Sequence, residues 1–484
     1  MKQLTLLVGN EQKGFFIALG ALMSKSWKVC FVADNKAVAQ LIKASLDEYS
    51  YELIMLPDRR TTPIPDANTL TKSLYLEKQY NVQLSFLMGQ DRALGYGYQV
   101  NVEKYPFIKR ASWSQHEKLQ HMADQFSNYQ NLLKDTDLFV SQFPQTIVSL
   151  ICESRRIPHF HLSQVKYGDR YFWSDDNYQG SRQLAEVIKQ NLLKYKNGCD
   201  IPETPYLIDG AGELVNSTIQ YNYTNALRRS LEMFIRDTVN SLRKRRKENS
   251  YRVYGWIPST FRKVRNHKIL CKQGVRPDEL SELKLVYFPL HMEPEVALLQ
   301  FAPEFSNTVE AITWISKSLP ANYVVIVKEQ ANSFAVRSRQ FYQRLLSIPN
   351  VRLADPSCHS WEWIRSSEFI VTMTGTVGQE AVHFEKPVIS FGCHQVINLL
   401  PTVFHVTSFQ EVVAAVSKIL SLSRTNNQLE ISRVALYKAQ IECSFEMPEY
   451  KNNYKSRDVI FDTTKIAFRA LLATYMSRIK DAGL

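Results

Sequence analysis

The sequence is poor in the features that mark secreted, zinc-bound and membrane-spanning chains. Its seven cysteines are odd in number, scattered, and never form a CxxC pair. This pattern argues against a disulfide framework or a zinc site and favours a reducing compartment. The longest early apolar run, GFFIALGALM at 14–23, is about half of the roughly 20 residues that a membrane-spanning helix needs. We therefore expect a cytoplasmic protein with no bound metal.

Low-complexity tracts and repeats at solenoid periods are also absent from the sequence. Their absence excludes repeat arrays and argues against a disordered chain. Hydrophobic residues make up 45% of the chain and charged residues 22%, as in ordinary globular proteins. Because 484 residues exceed the size at which a single hydrophobic core stops growing, we expect two domains.

The chain carries a net charge of +12, which suits a nucleic acid, an anionic membrane or a phosphate-bearing substrate. Part of this charge is a cluster at the end of a helical pattern, consisting of Arg243, Lys244, Arg245, Arg246 and Lys247. The cluster is either a solvated helix end that complements the helix dipole or a peripheral contact with an anionic inner membrane. No zinc-finger, recognition-helix or RNA-binding signature accompanies it, so we expect no nucleic-acid partner.

Apolar runs alternate with helical patterns in two successive parts of the chain. The first part opens with strand patterns at 3–9 and 28–34 around a helical stretch, the βαβ order of a parallel sheet. The order restarts at 284–290 and continues with strands at 323–329 and 369–374. We predict an α/β fold with two facing Rossmann-like domains and a C-terminal helical segment.

The predicted boundaries follow from this alternation. Residues 1–283 form an N-terminal Rossmann-like domain with a helical insertion, and residues 284–425 form a second Rossmann-like domain. The remaining segment, 426–484, is predicted to form helices that pack back on the body.

The stretch TMTGTVGQEAVHFEKPVISFG at 372–392 follows a predicted strand and begins as a turn rich in hydroxyls and glycine. Open α/β sheets bind ligands at the carboxyl ends of their strands. Thr374 and Thr376 offer hydroxyls, Gly375 and Gly378 allow close backbone approach, and the following helix presents free amides to an anion. The alternative is that glycine serves only the dihedral angles of the turn.

Two other strands of the same half end in polar side chains. The strand 323–329 places Lys328 at its carboxyl end, with Arg337 near the start of the next helix. The strand 284–290 is followed by His291, Glu293 and Glu295. Parallel strands bring these ends to one rim, which could neutralise the phosphate of a nucleotide sugar.

In order along the chain, these motifs resemble the capsule polysaccharide biosynthesis family of bacterial glycosyltransferases, which includes enzymes that add Kdo (3-deoxy-manno-octulosonic acid). The resemblance covers about 284–395. The matching motifs are PLHMEPE (289–295), VKEQ (327–330), RSRQFY (337–342), IPNVRL (348–353) and the 372–392 block.

The resemblance implies a GT-B fold, an acidic sugar on a CMP-activated donor, a glycan or lipid-linked acceptor, and no metal requirement. The implied donor-binding residues are Lys328, Gln330, Arg337, Thr374, Gly375, Thr376, Gly378 and Glu380. His291 and Glu295 would line the cleft as catalytic candidates. Glu380 has a structural alternative, since a carboxylate near a helix start can bind its amides.

The chain departs from the family pattern at two places. Gln330 and Ala331 stand where the family has His-Pro, and glutamine cannot transfer a proton near neutral pH. Cys393, His394 and Gln395 follow the strand where the family commonly has an aromatic pair. Two rivals therefore stay open: a UDP-sugar epimerase or hydrolase, and an inactive sugar-binding member of a polysaccharide assembly complex.

The acceptor side is predicted from the first half of the chain. The loop at 88–99 and the segment 165–176 follow predicted elements of that half. In the second segment Asp169, Asp175 and Asp176 are our candidate bases or nucleophiles, although a turn with a salt bridge to Arg170 explains Asp169 equally well. We interpret the DTD at 135–137 as a turn and the HFH at 159–161 as a satisfied, half-buried pair and not a metal site.

Overall fold

The computed structural model describes most of the chain and divides it into two compact units. The described ranges are 1–9, 12–57, 62–91, 94, 112–205, 222–242, 257–293, 296–330, 333–334, 337–422, 427–447 and 461–482. Unit 1 comprises Met1–Leu87, Ser114–Val187 and Lys438–Leu484, and unit 2 comprises Met88–Trp113 and Ile188–Tyr437. The domain boundaries that we expect at 283 and 425 stay predictions.

Unit 1 is built on a seven-stranded sheet in the order β13-β6-β5-β4-β1-β2-β3. The five strands from β5 to β3 are parallel, whereas β6 runs antiparallel to both β5 and β13. The strands are β1 Gln3–Val8, β2 Lys28–Ala33, β3 Glu52–Met55, β4 Leu138–Ser141, β5 His159–Gln164, β6 Arg170–Ser174 and β13 Phe445–Glu446.

The helices that lie wholly in unit 1 are α1 Lys13–Met23, α2 Lys36–Ser45, α3 Thr69–Tyr80, α5 Gln115–Leu132, α6 Thr146–Ser154 and α17 Phe461–Ala482. Two further helices, α4 Leu84–Gln90 and α7 Arg182–Lys196, begin in unit 1 and end in unit 2. Helix α1 lies so close to β2 that a Cβ atom at Gly20 would be 2.2 Å from the Phe31 ring. The C-terminal helix α17 belongs to this unit, where Trp173 Nε1 donates to the Ala467 carbonyl at 2.9 Å.

Unit 2 is built on a six-stranded parallel sheet in the order β9-β8-β7-β10-β11-β12. From the central pair β7 and β10, the strands follow one another in sequence toward each edge: β8 and β9 on one side, β11 and β12 on the other. The switch point of this doubly wound sheet therefore lies between β7 and β10. The strands are β7 Lys284–Pro289, β8 Tyr323–Lys328, β9 Val351–Leu353, β10 Ser367–Thr372, β11 Val388–Ser390 and β12 Val403–His405.

One helix of unit 2 packs the apolar side chains Val412, Val416 and Ile419 in the hydrophobic core. The described helices are α8 Tyr223–Leu242, α9 Ile257–Gln273, α10 Val296–Leu299, α11 Thr308–Ser318, α12 Arg339–Leu346, α13 Ser360–Ser366, α14 Thr376–His383, α15 Phe409–Ser421 and α16 Gln428–Glu442. The predicted α/β class, with two Rossmann-like sheets and a C-terminal helical segment, is confirmed. None of the described helices is both long enough and apolar enough to cross a bilayer.

Two smaller predictions have opposite outcomes. Asp137 of the DTD stretch accepts from the Gln3 amide at 2.7 Å, so this residue has a structural role at the start of β1, as expected. The prediction of a satisfied HFH pair is wrong, because Nε2 of both His159 and His161 is buried without a hydrogen-bond partner. Burial lowers the pKa of His159 to about 4 and that of His161 to about 3, so both are neutral near pH 7.

Candidate functional site

A histidine and a carbonyl connect the two central strands of unit 2 at the switch point. His291, just after β7, donates from Nε2 to the Thr374 carbonyl, just after β10, at 2.5 Å. Burial lowers the pKa of His291, so the ring is neutral. Because Nε2 carries the hydrogen, Nδ1 has the free lone pair, and this atom is buried without a hydrogen-bond partner. His291 can therefore accept a hydrogen bond or a proton at Nδ1.

The turn after β10 needs glycine for its conformation. Gly375 has φ 97° and ψ −170°, a region that is open almost only to glycine. Helix α14 begins at the next residue and has no side-chain cap. The first amides of a helix have no intrahelical partner and form the positive end of its dipole. The start of α14 is therefore able to bind an anion through its main chain.

Two other residues of the predicted donor site hold α14 in place. A Cβ atom at Gly378 would lie 2.7 Å from Ile397 Cδ1 and 3.1 Å from Thr372 Cγ2, so glycine allows the helix to pack closely. Glu380 accepts hydrogen bonds from the side chains of Trp361 and Thr376, and burial raises its pKa. Glu380 thus fits the structural alternative, and the Thr376 hydroxyl already has a partner.

Lys328 is a buried cation that has no direct partner in the part of the chain that the structure describes. It ends β8 with 7% of its surface exposed, and its ammonium forms no hydrogen bond or ion pair with any described residue. Burial lowers its pKa, while Cys358, Glu329 and Asp355 act in the opposite direction. A buried ammonium is costly unless it is paired. An anion at this position would therefore supply the missing partner.

These groups lie on one face of the sheet. Leu290, Val327 and Met373 all belong to the same hydrophobic core cluster. Successive side chains of a strand point to opposite faces, so the next residues in sequence, His291, Lys328 and Thr374, point away from that core. Thr372, which shares this second face, contacts α14 at Gly378. The neutral histidine, the buried lysine and the start of α14 are therefore on the same side of the carboxyl edge.

Arg337, predicted to bind the donor, is instead enclosed by protein and fully buried. Its Nε donates to Glu329 at 3.0 Å, its Nη1 to Glu293 at 3.1 Å, and its Nη2 to the His291 carbonyl at 2.9 Å. The guanidinium thus joins the segments after β7 and β8. In this arrangement Arg337 positions His291 and Lys328, and each of its three nitrogens already donates to the protein in the fully buried interior.

The surroundings of Arg337 complete a closed polar network. Glu329 also accepts from the Tyr342 hydroxyl at 3.1 Å, and Asn266 of α9 donates to the Arg337 carbonyl at 2.8 Å. Burial raises the pKa of Glu329, and the charge of Arg337 opposes that rise. The sequence analysis missed the roles of Glu329 and Asn266. The pairing of Lys-Glu at a strand end with an arginine eight residues later is the signal that could have indicated Glu329.

Gln330, another predicted donor-binding residue, is exposed after β8. The main-chain amide of Gln330 donates to Glu329 Oε1 at 3.0 Å. Glu295 lies outside the described residues, as do the basic cluster at 243–247 and most of the 88–99 loop.

The aspartates of the 165–176 segment belong to unit 1. Asp169 lies in the β5–β6 turn, where its carbonyl accepts from the Met447 amide at 2.9 Å. Arg170 forms its salt bridge with Glu446 at 2.6 Å. Asp176 accepts from the amides of Tyr178 and Gly180, which gives it a turn-closing role. The catalytic role of Asp169 therefore stays a prediction.

No protein-family model matches the sequence, and no curated protein matches it either. Among solved structures, the UDP complex of S. aureus MnaA is similar, with 11% identity and a TM-score of 0.29 over 96% of this chain and 98% of that one. The UDP-GlcNAc 2-epimerase of Neisseria meningitidis bound to UDP-GlcNAc shows 13% identity and a TM-score of 0.29, covering 98% and 100%.

A third structure is the β-Kdo 2,7-transferase KpsC of Thermosulfurimonas dismutans. It shows 13% identity and a TM-score of 0.29, over 60% of this chain and 79% of that one. Similarity at these levels does not indicate a reaction. The resemblance to the capsule family stays a prediction.

Replacing Arg337 with methionine should destabilise the protein by about 3–5 kcal/mol, because Glu293 and Glu329 would stay buried without their cation. We expect a lower urea midpoint for Arg337→Met, with the exposed Arg339→Met control within about 0.5 kcal/mol of wild type.

The same variant should recover stability in acid. Burial raises the pKa of Glu329, and losing Arg337 removes the charge that opposes the rise. The folded variant then binds a proton that the unfolded chain releases, so its stability falls as pH rises through the folded pKa. Urea titrations at about pH 5 and about pH 8 measure this, and equal losses at both would contradict a buried, unpaired carboxylate.

Proposed function

We propose that the chain is an enzyme that binds a nucleotide sugar at the carboxyl edge of the unit 2 sheet and transfers the sugar. The observation that carries this proposal is the placement of Lys328, the start of α14 and His291 on one face at the switch point. Among the described residues, Lys328 has no counter-charge in contact, α14 has no side-chain cap, and His291 Nδ1 has no partner. A phosphorylated ligand with neighbouring hydroxyl groups would match all three.

The chemistry follows from what each group offers. A departing phosphate gains charge, and the α14 amides together with Lys328 would stabilise that charge in a partly dehydrated site. Gly375 would let the phosphate approach the main chain, because it has no side chain there. His291 would accept a hydrogen bond from a hydroxyl of the ligand through Nδ1. Arg337 would act only by holding His291 and the β8 end in position.

The finer identity rests on the sequence motifs. We propose a glycosyltransferase of bacterial capsule or lipopolysaccharide assembly, with a CMP-activated acidic sugar such as Kdo as donor and a glycan or glycolipid as acceptor. The facing GT-B arrangement of two domains and the catalytic roles of Asp169 and Glu295 belong to this proposal. The rival functions are a UDP-sugar epimerase or hydrolase and an inactive sugar-binding protein.

Nucleotide binding tests the donor site. We expect CMP to raise the melting temperature, because a ligand at 100 times its Kd stabilises a protein by about 2.7 kcal/mol. Lys328→Met should remove most of this shift while keeping the volume of the side chain. The exposed Lys317→Met of α11 should keep it. The measurement is a thermal-shift series with CMP, UDP, GDP and ADP on all three proteins.

The other outcomes of this series separate the rivals. A shift with UDP and none with CMP would replace the CMP-dependent transferase with the epimerase or another transferase class. If no nucleotide shifts the melting temperature, the turn at 373–378 is not a nucleotide site. A CMP shift of equal size in Lys328→Met would place the site elsewhere.

Helix α8 supports the predicted membrane contact independently of the donor site. Leu227, Leu231, Phe234 and Ile235 are each more than half exposed, and their spacing places them on one stripe of the helix. The other side packs on α9, where Ser230 and Thr260 share a hydrogen bond of 3.0 Å. The apolar stripe is therefore free of contacts that would explain it within the described chain.

The charge around the stripe indicates what covers it. From Tyr223 to Lys247 the sequence has eight basic and two acidic residues, a net charge of +6. An amphipathic helix with cations beside an apolar face is suited to lie in the surface of an anionic bilayer. We propose that α8 docks on such a membrane, where a lipid-linked acceptor would be found.

Vesicle binding tests this surface. We expect the protein to sediment with vesicles that contain phosphatidylglycerol and to stay free with pure phosphatidylcholine, because both charge and apolar burial are required. Leu231→Glu should abolish the binding, since it places an anion in the stripe. Leu74→Glu, on the exposed face of α3, should leave it unchanged.

Salt and oligomeric state complete this test. Binding should weaken as salt rises, because ions screen the attraction. If Leu231→Glu binds the vesicles as well as wild type, α8 is not the membrane surface. If the wild type is a dimer in solution and Leu231→Glu is a monomer, the stripe is an interface between two copies and the membrane proposal fails.

A further inference from the structure

Three side chains of different chemistry meet beside β11 in unit 2. Glu304, in the turn before α11, accepts from Cys393 Sγ through Oε2 at 3.0 Å and from His394 Nε2 through Oε1 at 2.7 Å. The three potential ligand atoms all lie within 4.8 Å of one another. Within the described ranges, no other group of three His, Cys, Asp or Glu residues comes together in this way. The donor site proposed above uses none of the three.

The backbone that carries Cys393 and His394 is held firmly. Asn398 Nδ2 donates to the carbonyls of Gly392 and Cys393 at 2.8 and 3.3 Å. A Cβ atom at Gly392 would lie 2.4 Å from the Met373 carbonyl, so the two segments are in close contact. A ligand set on such a loop would lose little conformational freedom when a metal binds.

Aromatic packing of the next residue holds the segment that carries Glu304. Its neighbour in sequence, Phe305, stacks on Phe391 at 5.4 Å and on Trp314 at 5.3 Å between ring centroids. Phe391 lies two residues before Cys393, so a single aromatic stack supports both sides of the cluster. An apolar layer beneath a metal site limits access of water from that side.

A second imidazole lies near the cluster. His405 ends β12, and its register partner on β11 is Ser390. Its Nε2 is buried without a hydrogen-bond partner. Burial lowers the pKa of His405, and Glu411, His394 and Glu304 are close enough to affect it as well. His405 therefore lies near the cluster but outside its set of three ligand atoms.

We propose that Glu304, Cys393 and His394 bind one divalent zinc ion, with water in the fourth position. Thiolate sulfur, imidazole nitrogen and carboxylate oxygen are the ligand types of zinc, and three protein ligands with an open position are typical of sites that keep a water. Hard cations such as Mg²⁺ prefer oxygen ligands alone, so the thiol favours zinc.

Binding requires a defined change of protonation. The Cys393 thiol releases its proton to solvent, and a zinc–sulfur bond replaces the thiol hydrogen bond to Glu304. On His394 the proton moves from Nε2 to Nδ1, so that the lone pair of Nε2 faces the metal. Zinc binding at this site therefore releases one proton per ion, and that proton comes from Cys393.

The test uses Co²⁺ as a spectroscopic substitute for Zn²⁺ on the purified full chain. We expect one equivalent of Co²⁺ to produce a thiolate-to-cobalt charge-transfer band in the near ultraviolet, and Zn²⁺ to displace it. Cys393→Ser should remove the band, and Glu304→Gln should weaken Co²⁺ binding at least about tenfold. Proton release on adding Zn²⁺ should disappear in Cys393→Ser.

The chain offers a matched control in Cys271 and His267 of α9. This thiol–imidazole pair has an S–N separation of 3.6 Å and no carboxylate in hydrogen-bond contact with the thiol. Cys271→Ser should leave the band unchanged. A band that survives in Cys393→Ser and is lost in Cys271→Ser would overturn the proposal. Absence of any thiolate band in a wild type with a normal thermal transition would mean that the three side chains form only hydrogen bonds.

Discussion

The buried guanidinium of Arg337 is the interaction on which the arrangement of the candidate site depends. It connects Glu293 and the His291 carbonyl, after β7, with Glu329, after β8. His291 in turn connects to the turn after β10 through Thr374. Three parallel strands therefore have their carboxyl ends fixed by one cation and one neutral ring. A buried charge is costly unless it is fully paired, so the network tolerates little displacement of these ends.

The network also explains why the site can present unpaired groups. Arg337, Glu293 and Glu329 pair with one another in the interior. On the adjacent face, the Lys328 ammonium and His291 Nδ1 have no hydrogen-bond partner among the described residues. Lys328 lies near the negative charge of Glu329, which favours its charged form against the effect of burial. Positioning residues and proposed ligand-binding residues are thus neighbours in sequence with different orientations. This division is the physical basis of the proposed nucleotide-sugar site.

Much of the fold could be predicted because buried parallel strands are continuous apolar runs. The runs at 3–9, 28–34 and 323–329 match β1, β2 and β8 within one residue. Strands β6, β12 and β13 were not predicted. The last two are only three and two residues long, and such short strands depend on their neighbours more than on their own pattern.

The sequence could predict where the candidate site lies, but not which way its side chains point. Strand ends show where Lys328, His291 and Gly375 lie, because parallel strands share an edge. They do not show that Arg337 points inward, since that depends on the distant acids Glu293 and Glu329 closing around it. Likewise, the approach of Glu304 to Cys393 and His394 depends on the tertiary packing of segments almost ninety residues apart.

The most direct test of the central claim is hydrogen–deuterium exchange with and without CMP. The account predicts that amides 376–378, at the start of α14, and the segment around Lys328 become slower to exchange when the nucleotide is present. The amides of α1, which follows the first strand of the unit 1 sheet, should be unchanged. Protection confined to α1, with none at α14, would contradict the assignment of the nucleotide to the switch point of unit 2.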